Sequence, residues 1–117
     1  MEKYTVYVDD NFHHGDSDER YCFGWFESKD LALKAMKLIT EDEILSWARE
    51  TDSAEQLLSQ YKGFGEDPYC SGVYFSAWTW AEERCKELTD MSAEELEEEQ
   101  LKHDREYEEI SALRRKD

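Results

Sequence analysis

Two adjacent histidines, His13 and His14, stand among Asp9, Asp10, Asp16, Asp18 and Glu19, the densest grouping of side chains in the sequence able to hold a divalent metal. Neutral imidazole and carboxylate oxygens both suit first-row ions. The spacing argues against a site. Neighbouring histidines in a strand or turn point apart, no helical HExxH pair occurs, and the segment Asp16-Ser17-Asp18-Glu19 lacks the rest of a calcium loop. No metal or other cofactor is expected, and a metal-dependent enzyme at His13 and His14 is kept only as a reserve. No serine or cysteine sits in a nucleophile elbow, and no glycine-rich phosphate cradle is present. Carboxylates are too abundant for any pair to stand out as an acid and base. No catalytic residue is assigned, and the expectation is a binding protein rather than an enzyme.

The acids themselves are the strongest signal. Thirty Asp and Glu against fourteen Lys and Arg give a net charge of −16 over 117 residues. Such a chain is repelled by phosphates and by anionic lipid, so direct nucleic-acid and membrane-surface partners are excluded. Solubility alone asks for a net charge of magnitude about 2–8 in a small domain. Aromatic residues make up 14% of the chain, too many for an acidic disordered tail, so it is expected to fold, as one domain over 1–117. No apolar run reaches the ~20 residues of a membrane span, and the start lacks a basic then apolar leader. Cys22, Cys70 and Cys85 are odd in number and widely spaced, which suits reduced thiols. A cytoplasmic location is expected.

The elements that position these residues follow from periodicity. Tyr4, Val6 and Val8 alternate on one face of a strand, and Tyr21, Phe23 and Trp25 alternate along a second, predicting an antiparallel hairpin across the acidic loop 9–19. Ser28 caps a helix carrying Leu31, Ala32, Ala35, Met36 and Ile39. Thr40-Glu41-Asp42-Glu43 has the form of a capping box, predicting a new helix and a bend there. Ser53 opens a helix that Gly63 ends. The stretch 63–72 reads as an ordered loop, and Val73-Tyr74-Phe75 as a short third strand. Ser76 caps a helix whose inward stripe is Trp78, Ala81, Cys85 and Leu88. Trp80 is expected to point elsewhere. Ser92 begins a last helix, so that 90–117 forms an acidic C-terminal segment. The expected fold class is α+β: a small antiparallel sheet, a hairpin with a possible short third strand, packed with four to five helices.

The segments Tyr4-Thr5-Val6-Tyr7-Val8-Asp9-Asp10-Asn11-Phe12-His13, Phe64-Gly65-Glu66-Asp67-Pro68-Tyr69 and Phe75-Ser76-Ala77-Trp78, followed by Ala81-Glu82-Glu83-Arg84-Cys85, resemble a family of small uncharacterised acidic bacterial proteins. The resemblance covers roughly the first 88 residues. It implies no known activity.

On the last helix, Leu96, Gln100, His103, Tyr107 and Ile110 fall on one stripe, with His103 expected as a hydrogen-bonded packing residue. Glu94, Glu95, Glu98, Glu99, Glu106 and Glu109 spread over the other side. Like charges four apart, such as Glu94 with Glu98, cost a helix a few tenths of a kcal/mol. Between Asp90 and Glu99 six acids stand without a base. Ten helical residues span about 15 Å, the length over which one DNA strand sets about four or five phosphates. Asp9, Asp10, Asp16, Asp18 and Glu19 form another acid group, and Glu41, Asp42 and Glu43 a third. By size and charge the chain is similar to prokaryotic DNA-mimic proteins. The expected partner is then a basic nucleic-acid-binding protein: a histone-like nucleoid protein such as HU, a repressor, a nuclease or a CRISPR effector. The alternative is a protein–protein interaction module that uses the aromatic stretch 64–74, or self-associates as a monomer or weak dimer through the helical stripe, whose 4-3-4-3 spacing fits a coiled-coil seam.

Overall fold

A computed structural model describes residues 2–13 and 20–116. Its elements are β1 (Tyr4–Asp10), a single 3-10 turn (Asn11–His13), β2 (Tyr21–Phe26), α1 (Lys29–Ala48), α2 (Ala54–Phe64), β3 (Glu66–Cys70), α3 (Ala77–Thr89) and α4 (Ala93–Leu113). The fold is α+β, with an antiparallel sheet of strand order β2-β1-β3. One face of the sheet meets the helices, with Val6 and Val8 of the central strand fully buried against them.

Each helix starts where a serine side chain takes the place of a missing intrahelical acceptor. Ser28, Ser53, Ser76 and Ser92 accept from the amides of Leu31, Gln56, Thr79 and Glu95, each cap contributing about 1 kcal/mol. Thr40 does not cap. Its hydroxyl donates to the Met36 carbonyl at 2.8 Å, the back-bond open to a threonine already inside a helix, and α1 runs unbroken for 20 residues. Gly63 lies within α2. The helix ends at Gly65, whose amide returns to the Tyr61 carbonyl at 2.7 Å. A Cβ on Gly65 would meet the Tyr61 ring at 2.4 Å, so only glycine lets the chain turn so tightly into β3.

The third strand is not 73–75 but Glu66–Cys70, inside the stretch expected to be loop. The register that carries the Asn11 amide to the Gly65 carbonyl also pairs Asp9 with Asp67 and Tyr7 with Tyr69. In an antiparallel ladder the alternate residues, Glu66, Pro68 and Cys70, then turn their backbone groups outward. Pro68 stands at a position where no ladder donor is required, which is where an edge strand tolerates proline. Val73 makes only an isolated bridge to Cys70.

β2 also departs from simple alternation. Val6 pairs with Gly24 but Tyr7 with Cys22, leaving Phe23 as the extra residue of a bulge. Phe23 and Phe26 therefore both enter the core, while Trp25, opposite Thr5, turns to the other face beneath Arg115. Trp25 exchanges backbone hydrogen bonds of 2.8 and 3.0 Å with Arg115, which pins the end of α4 along β2.

The core has two parts strung along α1. Ala32, Ala35, Met36 and Ile39 pack on Val6, Val8, Phe23, Phe26 and Ile110. Ile44, Leu45 and Ala48 pack on Leu57, Tyr61, Ala81, Cys85, Leu88 and Leu96. Between the two parts, Thr40 and Glu41 are buried polar residues on the same helix. In α3 the inward stripe begins at Ala77 rather than Trp78, which is 39% exposed. Cys70 and Cys85 are buried thiols and Cys22 is exposed. No described helix is long and apolar enough to cross a membrane.

Candidate functional site: the carboxylate surfaces

The strands run so that their two ends differ in charge. At the end where Tyr4 meets Phe26, Lys3 and Arg115 lie over the Trp25 ring, Lys29 over Tyr4 and Arg114 over Phe23. At the opposite end β1 finishes with Asp9 and Asp10, paired with Asp67 and Glu66 at the start of β3. Asp42 and Glu43, beyond the middle of α1, share this end. Loss of solvent around Glu43, together with repulsion from Glu66, Asp42 and Asp10, pushes its carboxyl up to about 6. Glu66 is raised by burial and by Asp42 and Asp10, against a 2.7 Å hydrogen bond donated by the Tyr21 hydroxyl. Asp9 is engaged by Arg20 at 2.7 Å, and Asp10 accepts from the Phe12 amide at 2.8 Å.

The acids expected to bind a partner thus divide. Asp9, Asp10, Asp42 and Glu43 converge at one end of the sheet, joined by Glu66 and Asp67. Asp16, Asp18 and Glu19 lie outside the described residues, as do His14 and the side chain of His13. Glu94, Glu95, Glu98 and Glu109 are exposed along α4, which leaves that helix with an acidic outer side. Glu106 is half-buried and borders a cleft with Lys34 and Lys37.

Glu41 is an internal partner of cations, which corrects its assignment to the surface, while Glu99 is half-buried and tied to one of them. Glu41 is only 8% exposed. Arg84 of α3 donates to it at 2.7 Å and reaches Glu99 of α4 at 2.8 Å. His103, 1% exposed, places Nδ1 2.7 Å from Glu41 and Nε2 2.9 Å from Asp42. Burial alone would lower the imidazole, but hydrogen bonds to Asp42 and Glu41 outweigh it and raise His103 to about 9. Burial would likewise raise Glu41, yet His103 and Arg84 hold it below the usual carboxylate range. A doubly protonated imidazole and a guanidinium therefore neutralise the polar seam between the two parts of the core.

The stripe of α4 is used within the molecule. Leu96, His103 and Ile110 are buried and Tyr107 packs edge-on against Phe23, so the seam expected for self-association is filled by the chain's own core. Among the described residues no group of three or more His, Cys, Asp or Glu side chains has the arrangement of a metal site.

Aromatic side chains gather beside the acidic end. Asn11 is buried and joins three elements: its side-chain amide donates to the Tyr61 carbonyl at 2.9 Å, and its side-chain oxygen accepts from Trp78 Nε1 at 3.3 Å. Phe12 and Phe64 stack at 5.5 Å in the open, 62% and 54% exposed. A cleft of about 560 Å³ runs between β3 and the start of α3, lined by Asp67, Pro68, Tyr69, Phe75, Ser76, Ala77 and Trp78. The stretch 64–74 is expected as a partner contact of an interaction module, but Glu66 and Asp67 do not count among the acid groups read from the sequence, and the strand that places them lies where a loop is expected. The signal was available in the alternation of Glu66, Pro68 and Cys70 against Asp67 and Tyr69, a period of two that the proline masks.

No family model, curated protein or solved structure matches the chain.

Proposed function

We propose that this chain is an acidic binding protein of the cytoplasm that occupies the basic surface of a DNA-binding protein and competes with DNA for it. The observation that carries the reading is the convergence of Asp9, Asp10, Asp42, Glu43, Glu66 and Asp67 from three elements at one end of the sheet, where six carboxylates outnumber the cations that reach them, Arg20 on Asp9 and His103 on Asp42. Carboxylates held against one another in this way raise the energy of the free protein, and a cationic partner relieves it. The exposed acids of α4, Glu94, Glu95, Glu98 and Glu109, supply a second row of carboxylates. Association is steered by charge, fast, and weakened by salt. A histone-like nucleoid protein such as HU is the first partner to test, because its contacts read backbone and shape rather than bases.

The test is binding of the purified chain to purified histone-like protein at low and high salt, with duplex DNA as competitor. The expected result is a complex that DNA displaces and salt dissolves. The triple variant E94Q/E95Q/E98Q is expected to fold and to bind more weakly. A pull-down from bacterial lysate that recovers no DNA-displaceable basic protein, or binding indifferent to salt, overturns the reading.

A further inference from the structure

Where α1 ends and α2 begins, the molecule holds a cleft of a different character from the acidic surfaces. Its volume is about 360 Å³, and Trp47, Glu50, Thr51, Gln56 and Gln60 line it. The turn on one side is tied down: the Trp47 carbonyl accepts from the Glu50 amide at 3.0 Å and from the Thr51 hydroxyl at 2.8 Å. On the other side Ser53 caps α2, and buried Leu57 and Tyr61 anchor it, so that Gln56 and Gln60, four residues apart, stand next to each other on the flank that lines the cleft. Trp47 packs partly on the second part of the core and gives the cleft the rest of its indole. These groups have no task inside the fold. Among the described residues, neither glutamine side chain nor the Glu50 carboxylate has a hydrogen-bond or ion-pair partner, and no ring or cation stands against Trp47.

The donor and acceptor set narrows the ligand. Each glutamine amide offers donors and an acceptor, and Glu50 accepts only. The Thr51 oxygen has given its hydrogen to the Trp47 carbonyl and keeps lone pairs that accept. A phosphate or carboxylate ligand is opposed by Glu50 and by the net charge of −16. A cation finds one exposed carboxylate, an attraction that water largely screens, beside two amides that carry no charge. A wholly apolar ligand would take four polar side chains out of water for the sake of one indole. A ring of neighbouring hydroxyls meets every group: each hydroxyl both donates and accepts, as the amides and the carboxylate require, while the C–H face of the ring lies on the flat apolar indole. The volume stands at the low end of the roughly 300–1,000 Å³ of small-molecule pockets, which suits a single ring. We propose that this cleft binds a neutral sugar ring, stacked on Trp47 and hydrogen-bonded by Gln56, Gln60 and Glu50. The site stands apart from the function proposed above and uses none of the acids at the end of the sheet.

The site reports on itself through the Trp47 indole N–H and the side-chain amides of Gln56 and Gln60 in the ¹⁵N-labelled full chain. The probes are D-glucose, D-galactose and D-mannose, the last two each differing from glucose in the direction of one hydroxyl. The expected result is saturable movement of those signals with at least one of the three, at a Kd on the order of millimolar, and little movement of the Trp25, Trp78 and Trp80 indoles. Q56A and Q60A remove side chains the fold does not use, so each is expected to keep the melting temperature and to weaken the best sugar by about fivefold, the loss of one neutral hydrogen bond. Glucuronate, a glucose ring bearing a carboxylate, is expected to bind more weakly than glucose in the parent and to recover in E50Q. The methyl glycoside of the best sugar separates two sources of the same ring: retained binding supports the end of a glycan, and lost binding supports the free sugar. Absence of saturable movement at Trp47 with all three sugars, an equal response to glycerol or to acetylated and amidated triglycine, or unchanged affinity in both glutamine variants overturns the inference.

Discussion

His103 on α4 and Glu41 on α1 are 62 residues apart in sequence and 2.7 Å apart in space. The imidazole also reaches Asp42, while Arg84 holds the other oxygen of Glu41. A buried charge whose partner is removed costs about 3–5 kcal/mol, so the three helices are held in register by a polar contact that tolerates little change.

Stability is expected to fall on the alkaline side. His103 is raised in the folded state from an ordinary 6.5 to about 9. Its contribution is therefore complete below about pH 6.5 and is lost as pH rises through about 9. Urea midpoints measured from pH 6.5 to 10 should decline, and H103Q should remove most of that decline while lowering the midpoint at pH 7. A flat wild-type profile would refute the assignment of the charged imidazole.

Replacement of Arg84 should be among the most damaging changes to a partly exposed residue. The guanidinium serves Glu41, Glu99 and Glu87. R84M leaves Glu41 facing His103 alone and is expected to cost about 3 kcal/mol. E87Q removes only an exposed partner, a change of less than about 1 kcal/mol. Thermal unfolding of the two variants side by side checks the ranking.

Glu43 works against the fold at neutral pH. Its carboxyl is raised to about 6, so the folded state binds the proton more tightly than the unfolded chain does. Its ionisation therefore subtracts stability as pH rises from about 4.5 to 6. E43Q should gain stability over the parent at pH 7.5, on the order of 0.5 kcal/mol for relief of neighbouring like charges, and gain nothing at pH 4. Chemical denaturation at the two pH values decides it.

Gly24 should resist substitution. Its φ is +147°, and a Cβ there would stand 2.9 Å from the Arg115 carbonyl. G24A is expected to cost about 2 kcal/mol through backbone strain and to loosen the pairing of Trp25 with Arg115. Melting temperature reads the first effect, and exchange protection of the Arg115 amide reads the second.

Local chemistry made much of this architecture legible. Four serine caps announced four helices, because a hydroxyl answering the third following amide is a contact within one turn of chain. The hairpin strands were equally plain as strands, although the bulge at Phe23 breaks the expected alternation of Tyr21, Phe23 and Trp25 in β2. What failed was set by distance or by competition. Thr40 carries the letters of a cap, but a hydroxyl inside a formed helix has the Met36 carbonyl within reach. Glu66 to Cys70 reads as loop because proline and two acids are poor strand formers, and only pairing with β1 overrides that. The same limit applies to the site. A count of acids along the chain could place Glu94 and Glu98 on the surface, yet it held no information that Arg84 and His103 would claim Glu41 from other helices.

Pro68 stands in the outward register of an edge strand. A neighbouring chain approaching that edge finds a missing rung at its centre, so β3 is a poor template for sheet growth or for stacking of copies. The sheet can therefore end in the open beside an aromatic cleft without inviting polymerisation, and concentrated solutions should stay free of cross-β order. One absent hydrogen leaves that edge open without making it a template.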